Sequence, residues 1–396
     1  MFSSLTRKLT AEIERVEAVV ATSEGLRTLI FDSACGPAGE AERTEFAKKV
    51  VDFLGVNVPS RVDWQIYDHC AAFTRLYAAY EQYVNGLISG YIAQLPTLYK
   101  TYDDLPQKLL LHHRTGIAQI LIKIGDRGQY RDVEEKTLIT AISSGLREGA
   151  PYTLVPEAFF VDKQNYKFEV LVNILGSLGL ENIGTAITKH PRMVEFMRSV
   201  RGDSSTPQGE LENFVKYRNE ATHGTVENIV SADELQRFGQ FIALLGEVIG
   251  DLIESAVLRR RVDLGHSIPI GVVQECYRSG EIVVARMNES NISVGDELIV
   301  VSKTACRKAR ILQIQLNDVD QNSMKAEEGA EVGLRLSIVA RKRMELHRLV
   351  AAQGGEVQLR LGGAGQGSES GDGEASEMEA SDQARSDSGD NEESDL

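Results

Sequence analysis

Residues 211–224 (LENFVKYRNEATHG) bring a fixed cation, an amide and a titratable ring into one short stretch. Leu211, Phe214 and Val215 are spaced i, i+3 and i+4, which predicts one apolar stripe of a helix. Asn219 and His223 lie four apart and share a helical face, with Arg218 on the flank of that face. Gly224 predicts the stop, so both polar residues fall in or near the last turn, where the helix dipole favours a protonated imidazole. Imidazole transfers protons near neutrality. A guanidinium stays charged and holds anionic oxygens through a planar fork. These residue types point to proton transfer beside an anion.

Other clusters carry less. Cys35, Cys70, Cys276 and Cys306 form no CxxC pair, which fits a reducing cytoplasm and argues against zinc or a disulfide framework. No His/Asp/Glu group has ligand spacing, so no metal or other cofactor is expected. His112 and His113 are adjacent, diverge by about 100° on a helix, and read as surface histidines. Arg201-Gly-Asp203 reads as a chance tripeptide in a loop at 201–209, and His190, before Pro191, as a turn residue.

Arg218, Asn219 and His223 resemble the motif of the HEPN superfamily (higher eukaryote and prokaryote nucleotide-binding domains): an arginine, a polar residue after it, and a histidine four to six residues on. The resemblance covers roughly residues 65 to 260 as helix pattern, with the sharp match confined to 211–224. It implies a metal-independent RNA endoribonuclease that forms a homodimer, so that two motifs face each other, with defence or toxin-like cutting of tRNA or other translation RNAs as its setting. His223 would act as base or acid, Arg218 would hold the phosphate, and Asn219 would donate to a phosphate oxygen or orient the imidazole. In some HEPN families an acidic residue of the first long helix approaches the pair, and Glu81 is the candidate here. Relatives silenced by nucleotide transfer carry a tyrosine two residues after the histidine; Thr225 stands there instead. The bland alternative has Arg218 paired with Glu220 or Glu212 and His223 capping the helix.

The elements that must position this stretch are mostly helices. Residues 1 to about 60 read as a helical extension, with Leu9, Ile13, Val16, Val19 and Val20 on one face and a second helix from about 40 to 54. Residues 62–95 carry Phe73, Leu76, Tyr77, Tyr80, Val84, Leu87, Ile88 and Tyr91 at helical spacing, with Pro96 as the stop. Asp103-Asp104-Leu-Pro106 can start a helix that carries Leu109 to His113, residues 115–147 read as helical, and a helix or two is expected in 166–200, with a break at Pro191. Ser231-Ala-Asp-Glu234 reads as a capping box opening an apolar helix to about Leu258.

From Ile268 the grammar changes to short β-rich runs at 268–273, 281–285, 296–301, 309–314 and 332–336, the pattern of a small barrel. Residues 292–296 (ISVGD) and 327–334 (EEGAEVGL) resemble turns of the domain-2 barrel of translational GTPases, which contacts RNA in those factors. No P-loop accompanies it. The expected organisation is thus mainly α: an N-terminal extension (1–60), a HEPN-like bundle (61–262), an all-β barrel (266–342) and a disordered acidic tail (354–396). An alternative function is non-catalytic RNA binding or scaffolding by the barrel. The net charge of −15 argues against a nucleic-acid binder only superficially. Residues 354–396 hold twelve acids and two arginines, which leaves 46 acids against 41 bases, a net of −5, in residues 1–353. No apolar run approaches a membrane span, and the first 25 residues lack a signal-peptide core.

Overall fold

The computed structural model describes residues 2–32, 58–124, 130, 133–147, 149–161, 165–202, 204–224, 226 and 228–350. The predicted helix at about 40–54, Cys35, Asp203, Thr225 and the acidic tail lie outside the described residues.

Two long helices frame the bundle. The first, α2 (Arg61–Leu98), starts where Ser60 Oγ accepts from the Asp63 N–H at 3.1 Å, and its predicted apolar stripe is buried throughout. It runs past Pro96, because a proline in the last turn removes a single hydrogen bond, and Tyr99 N–H still closes on Leu95 C=O at 2.9 Å. The other, α9 (Ala232–Asp263), is capped by Ser231 Oγ accepting from Glu234 N–H at 3.2 Å. The capping box is only half formed. Glu234's carboxylate turns instead to Arg201 at 2.7 Å, whose side chain is buried against Glu210 and lies 4.8 Å over the Phe238 ring. Arg201 is therefore an interior cation rather than a loop residue.

The N-terminal helix α1 (Ser3–Arg27) packs into the bundle through Leu9, Ile13, Val16 and Val20. Glycines on the two long helices let it approach: a Cβ on Gly90 would meet Phe2 at 2.9 Å, and one on Gly246 would meet Leu9 at 2.8 Å. The connecting helices are α3 (Gln107–Lys123), α4 (Glu135–Gly145), α5 (Phe168–Ser177), α6 (Ile183–Thr188) and α7 (Pro191–Phe196), with His190 at the N-cap of α7. His113 is not on the surface. It is fully buried, with Nε2 accepting from Val155 N–H at 3.0 Å and Nδ1 2.8 Å from the Tyr102 hydroxyl. His112 is partly buried and stacks on Phe159.

The motif helix, α8 (Pro207–His223), begins earlier than its apolar stripe suggests. Thr206 Oγ1 accepts from Gly209 N–H at 3.1 Å, and Pro207 occupies the first turn, where its missing N–H costs nothing. The predicted loop at 201–209 therefore ends at the cap. Gly224 closes the helix with φ 70°, a left-handed conformation that glycine adopts without strain.

The C-terminal part is a closed six-stranded antiparallel barrel. Its strands are β1 (Ser267–Tyr277), β2 (Ile282–Met287), β4 (Glu297–Val301), β5 (Cys306–Leu316), β8 (Glu331–Leu336) and β9 (Glu345–Leu349), in the order β4-β9-β1-β2-β8-β5 with β4 paired to β5. The strands β3 (Ser290–Ser293) and β7 (Ser323–Ala326) pair with each other, and β6 (Val319–Gln321) extends β5. Beta-branched and aliphatic residues alternate inward, among them Val273, Val283, Ala285, Ile311, Val332 and Leu334. The ISVGD stretch makes a tight turn, with Gly295 at φ 97° and Asp296 Oδ2 accepting from Ser293 N–H at 2.9 Å. The last turns of α9 bear on the barrel: Leu258 shares a cluster with Ile299, Val301 and Cys306, and Ser255 Oγ accepts from Cys306 N–H at 2.9 Å.

Candidate functional site

Burial of Leu211, Phe214 and Val215 against α2 orients the opposite face of α8 outward. That face carries Lys216, Asn219, Glu220 and His223. With Glu212, and with Lys167 and Glu169 from the start of α5, they line a cleft of about 500 Å³, within the range that holds small ligands. His223 is exposed in the last turn.

Arg218 lies behind this cleft. Its Nη1 donates to Asn219 Oδ1 at 3.0 Å and to Asn165 Oδ1 at 2.9 Å, while Asn165 Nδ2 donates to Asn219 Oδ1 at 2.9 Å. The guanidinium stacks 4.2 Å over the Tyr77 ring, a favourable cation–π distance. Two donors converge on Asn219 Oδ1, so the amide NH₂ is the end left for the cleft. The anticipated pairing of Arg218 with Glu220 or Glu212 does not occur. Glu220 pairs with Lys216 at 3.5 Å, and Glu212 accepts from Gln208 at 2.9 Å.

Asn165 owes its place to α2. Tyr77 hydroxyl accepts from Tyr166 N–H at 2.9 Å, Tyr80 hydroxyl donates to Tyr166 C=O at 3.3 Å, and the Tyr166 hydroxyl bonds Asn85 Oδ1. Burial pushes the Tyr77, Tyr80 and Tyr166 hydroxyls up, keeping them neutral donors and acceptors. Glu81 sits one turn beyond Tyr77, partly buried, close enough for its charge to raise both Tyr77 and Tyr166. The structure thus brings Asn219 and His223 to one cleft, holds Arg218 beneath it, and sets Glu81 beside the tyrosines that support Arg218.

Sequence reasoning missed Asn165 and His69. Asn165 is 53 residues from Arg218 in an irregular segment, with no periodicity to mark it. His69 on α2 is 2% exposed and packs against Phe73 and Tyr217. Its Nδ1 accepts from Val230 N–H at 3.3 Å, so in the neutral ring Nε2 carries the proton. Burial lowers its pKa, and the nearby Glu220 charge opposes that shift. Among the described residues, His69 Nε2 and Glu220 Oε2 are both buried without a hydrogen-bond partner.

Among the described residues, no group of three or more His, Cys, Asp or Glu is placed to hold a metal ion, and no helix is long and apolar enough to cross a membrane. A family model described as MAE_28990-like HEPN matches residues 42–262, which includes the whole of α2 through α8 and nearly all of α9. No curated protein matches the chain.

Proposed function

The chain belongs to the HEPN family, and on that premise we propose that it is a metal-independent RNA endoribonuclease acting through Arg218, Asn219 and His223. The observation that carries the reading is the shared cleft of Asn219 and His223, with Arg218 locked beneath it by two amides and an aromatic face. Cutting RNA this way requires a base for the 2′-OH proton, an acid for the leaving 5′-oxygen, and stabilisation of charge on the phosphorane. His223 transfers a proton at the open end of the cleft. Asn219 offers amide N–H donors to a phosphate oxygen, and Arg218 adds fixed positive charge next to it. Glu81 acts at one remove, by steadying the tyrosine that carries Arg218. The substrates in view are tRNA or other translation RNAs, in a defence or toxin-like setting, by a homodimer whose two clefts build one RNA groove.

A second reading, RNA binding without cutting, is favoured by the outer barrel face. Tyr277 is half exposed there, and Ile282 on β2, Arg335 on β8 and Gln313 on β5 form one cross-strand row. An exposed aromatic with an arginine two strands away in the same row suits a base-stacking surface that also meets phosphate.

The deciding experiment is cleavage of pooled tRNA and total RNA in EDTA by wild type and His223→Ala. We expect EDTA-resistant cutting that His223→Ala loses by about 100-fold or more, with RNA affinity retained. Equal cutting by both proteins would remove His223 from the chemistry, and binding without cutting by either would favour the barrel reading.

A further inference from the structure

The sequence holds three basic clusters, at 259–261, 307–310 and 341–343, and the fold employs the first two. Arg259 and Arg260 donate to the backbone carbonyls of Ser302 and Gly179. Lys308 pairs with Glu254 at 3.5 Å and Arg310 with Glu297 at 3.4 Å. The third cluster is left over. Arg341, Lys342 and Arg343 are exposed on the connection from β8 to β9 and, among the described residues, form no ion pair. A fourth cation joins them from the turn between β1 and β2. Ala340 N–H donates to Gly280 C=O at 2.9 Å, and Arg343 N–H donates to Val273 C=O at 2.8 Å. The turn bearing Arg278, itself exposed and without an ion pair among the described residues, therefore packs beside the connection bearing the other three. Two of the carboxylates adjacent in the chain are engaged elsewhere: Glu275 accepts from the Tyr277 hydroxyl, and Glu345 Oε2 lies 3.1 Å from His347 Nε2. Glu281 is the third, and it pairs with none of the four cations.

The backbone under two of these arginines is strained. Arg343 has φ 70° at the third position of a turn that Met344 N–H closes on Arg341 C=O at 3.2 Å, a position that glycine or asparagine usually fills. Arg278 has φ 47°, followed by Ser279 at 59°. The other non-glycine residues with positive φ among the described residues, Asn182, Asn317 and Asp318, are of types that adopt it readily. An arginine there carries a conformational cost that no ion pair within the chain offsets, and strain of this kind gathers at functional surfaces. We propose that Arg278, Arg341, Lys342 and Arg343 bind the phosphates of single-stranded RNA, with Tyr277 beside them as a platform for an unpaired base. Guanidinium forks match phosphate oxygens, and cations around an exposed aromatic ring are what holds a single strand. Tyr277, half exposed and one residue before Arg278, favours RNA over a lipid surface and an open strand over a duplex, whose base faces are covered. This surface takes from the readings above only RNA as the partner, and it holds RNA whether or not the cleft in the bundle cuts it.

The test uses the full chain and a labelled 2′-O-methyl RNA oligonucleotide, which keeps its phosphates but cannot be cut through its 2′-oxygen. Affinity is measured across a range of salt concentrations for the single strand and for the same strand annealed to its complement. Two paired variants are compared with wild type, Arg341→Gln with Lys342→Gln and Arg278→Gly with Arg343→Gly. Each pair is expected to weaken single-strand binding by about tenfold at about 0.1 M salt and to lower the slope of log affinity against log salt by about 1.4. The glycine pair should also melt no lower than wild type, because glycine relieves the strain. Loss of affinity at unchanged or raised stability is a combination that a merely structural role would not give. Affinity and slope within about twofold of wild type in both pairs overturn the proposal, as does a duplex bound as tightly as the single strand. Binding to phosphatidylglycerol vesicles that the variants lose while RNA binding persists overturns it in favour of a lipid surface. Loss confined to the glycine pair, with a lower melting temperature, makes Arg278 and Arg343 parts of the fold and overturns it as well. Since nothing is cut in this assay, none of these outcomes depends on the ribonuclease reading, which His223→Ala tests separately.

Discussion

At the scale of single residues, the candidate site is a problem of orientation. An amide in a polar cleft can turn either end to a substrate, and Asn219 is fixed because Arg218 and Asn165 both donate to its oxygen. Asn165 should therefore matter to chemistry it does not touch. Replacing it by Ala takes one partner from Arg218 Nη1 and one from Asn219 Oδ1, leaving only the bond between them and the Tyr77 ring to hold the pair, and a misplaced group costs one to two orders of magnitude in rate. Asn165→Ala is accordingly expected to lower cleavage by about 10- to 100-fold while leaving RNA affinity close to wild type; unchanged cleavage would show that the amide pair does not set the site. Arg218→Lys tests the same arrangement from the other side. Lysine keeps the charge but loses the planar fork that bridges two amides and lies on Tyr77. Cleavage should fall by about tenfold or more, with the salt dependence of binding unchanged. Arg218, Asn219 and His223 were legible because their spacing on one helix end is a local property. Asn165 was not, since its position is set through the backbone of Tyr166 by hydroxyls of α2 that lie 86 and 89 residues before that tyrosine.

At the scale of elements, periodicity located the helices, and caps decided where they begin. The stripe of α2 was plain in the spacing of Phe73 to Tyr91, and all of those positions are buried. The start of α8 was misread because Thr206 and Pro207 look like loop residues until the threonine is seen to cap the helix that the proline opens. Short polar strands such as Ser290–Ser293 and Ser323–Ala326 carry little alternation and are not among the runs predicted from the sequence, and β9 follows a charged run that masks it. Glycine meanings were also hidden, because they depend on what approaches. In α9, Gly246 faces α1 so closely that an added Cβ would lie 2.8 Å from Leu9 and 2.9 Å from Tyr83, whereas Gly25 in α1 has nothing within 4 Å. Overpacking at such a contact costs about 1–3 kcal/mol, and an open helical glycine costs up to about 1 kcal/mol relative to alanine. Gly246→Val should therefore lower the urea midpoint and loosen α1, while Gly25→Ala should raise it slightly. Equal effects at the two sites would mean that α1 does not pack on α9 as described.

At the scale of the whole molecule, the helical bundle and the barrel meet at the last turns of α9, where Leu258 and Ser255 join the paired strands β4 and β5 through Ile299, Val301 and Cys306. The change from helical to strand grammar near residue 268 foretold two folds in series; their contact depended on side chains no periodicity singles out. Stability of the bundle should respond to pH through its buried histidines. His113 is held neutral, because Nε2 must accept from Val155 N–H, and protonation would destroy that bond inside a fully buried site. Burial lowers its pKa to about 4, with Arg114 and His112 acting in the same direction. An unfolded histidine titrates near about 6.5. Between these values the unfolded chain binds a proton that the folded chain does not. The contribution is therefore complete above about pH 6.5 and is lost progressively as pH falls toward 4, to a total of about 3 kcal/mol. His69 and His112 are lowered by burial as well and steepen the same slope. Glu210, raised by burial despite Arg201, opposes it wherever the folded chain keeps a proton that the unfolded chain has released. Chemical denaturation between pH 7.5 and 5 should show wild type losing stability steadily. His113→Gln keeps an acceptor for Val155 N–H but has no proton to gain, so its stability should begin lower and change less over the same range. Parallel slopes for the two proteins would mean that the acid sensitivity arises elsewhere and that His113 takes up its proton equally in the folded and unfolded chains.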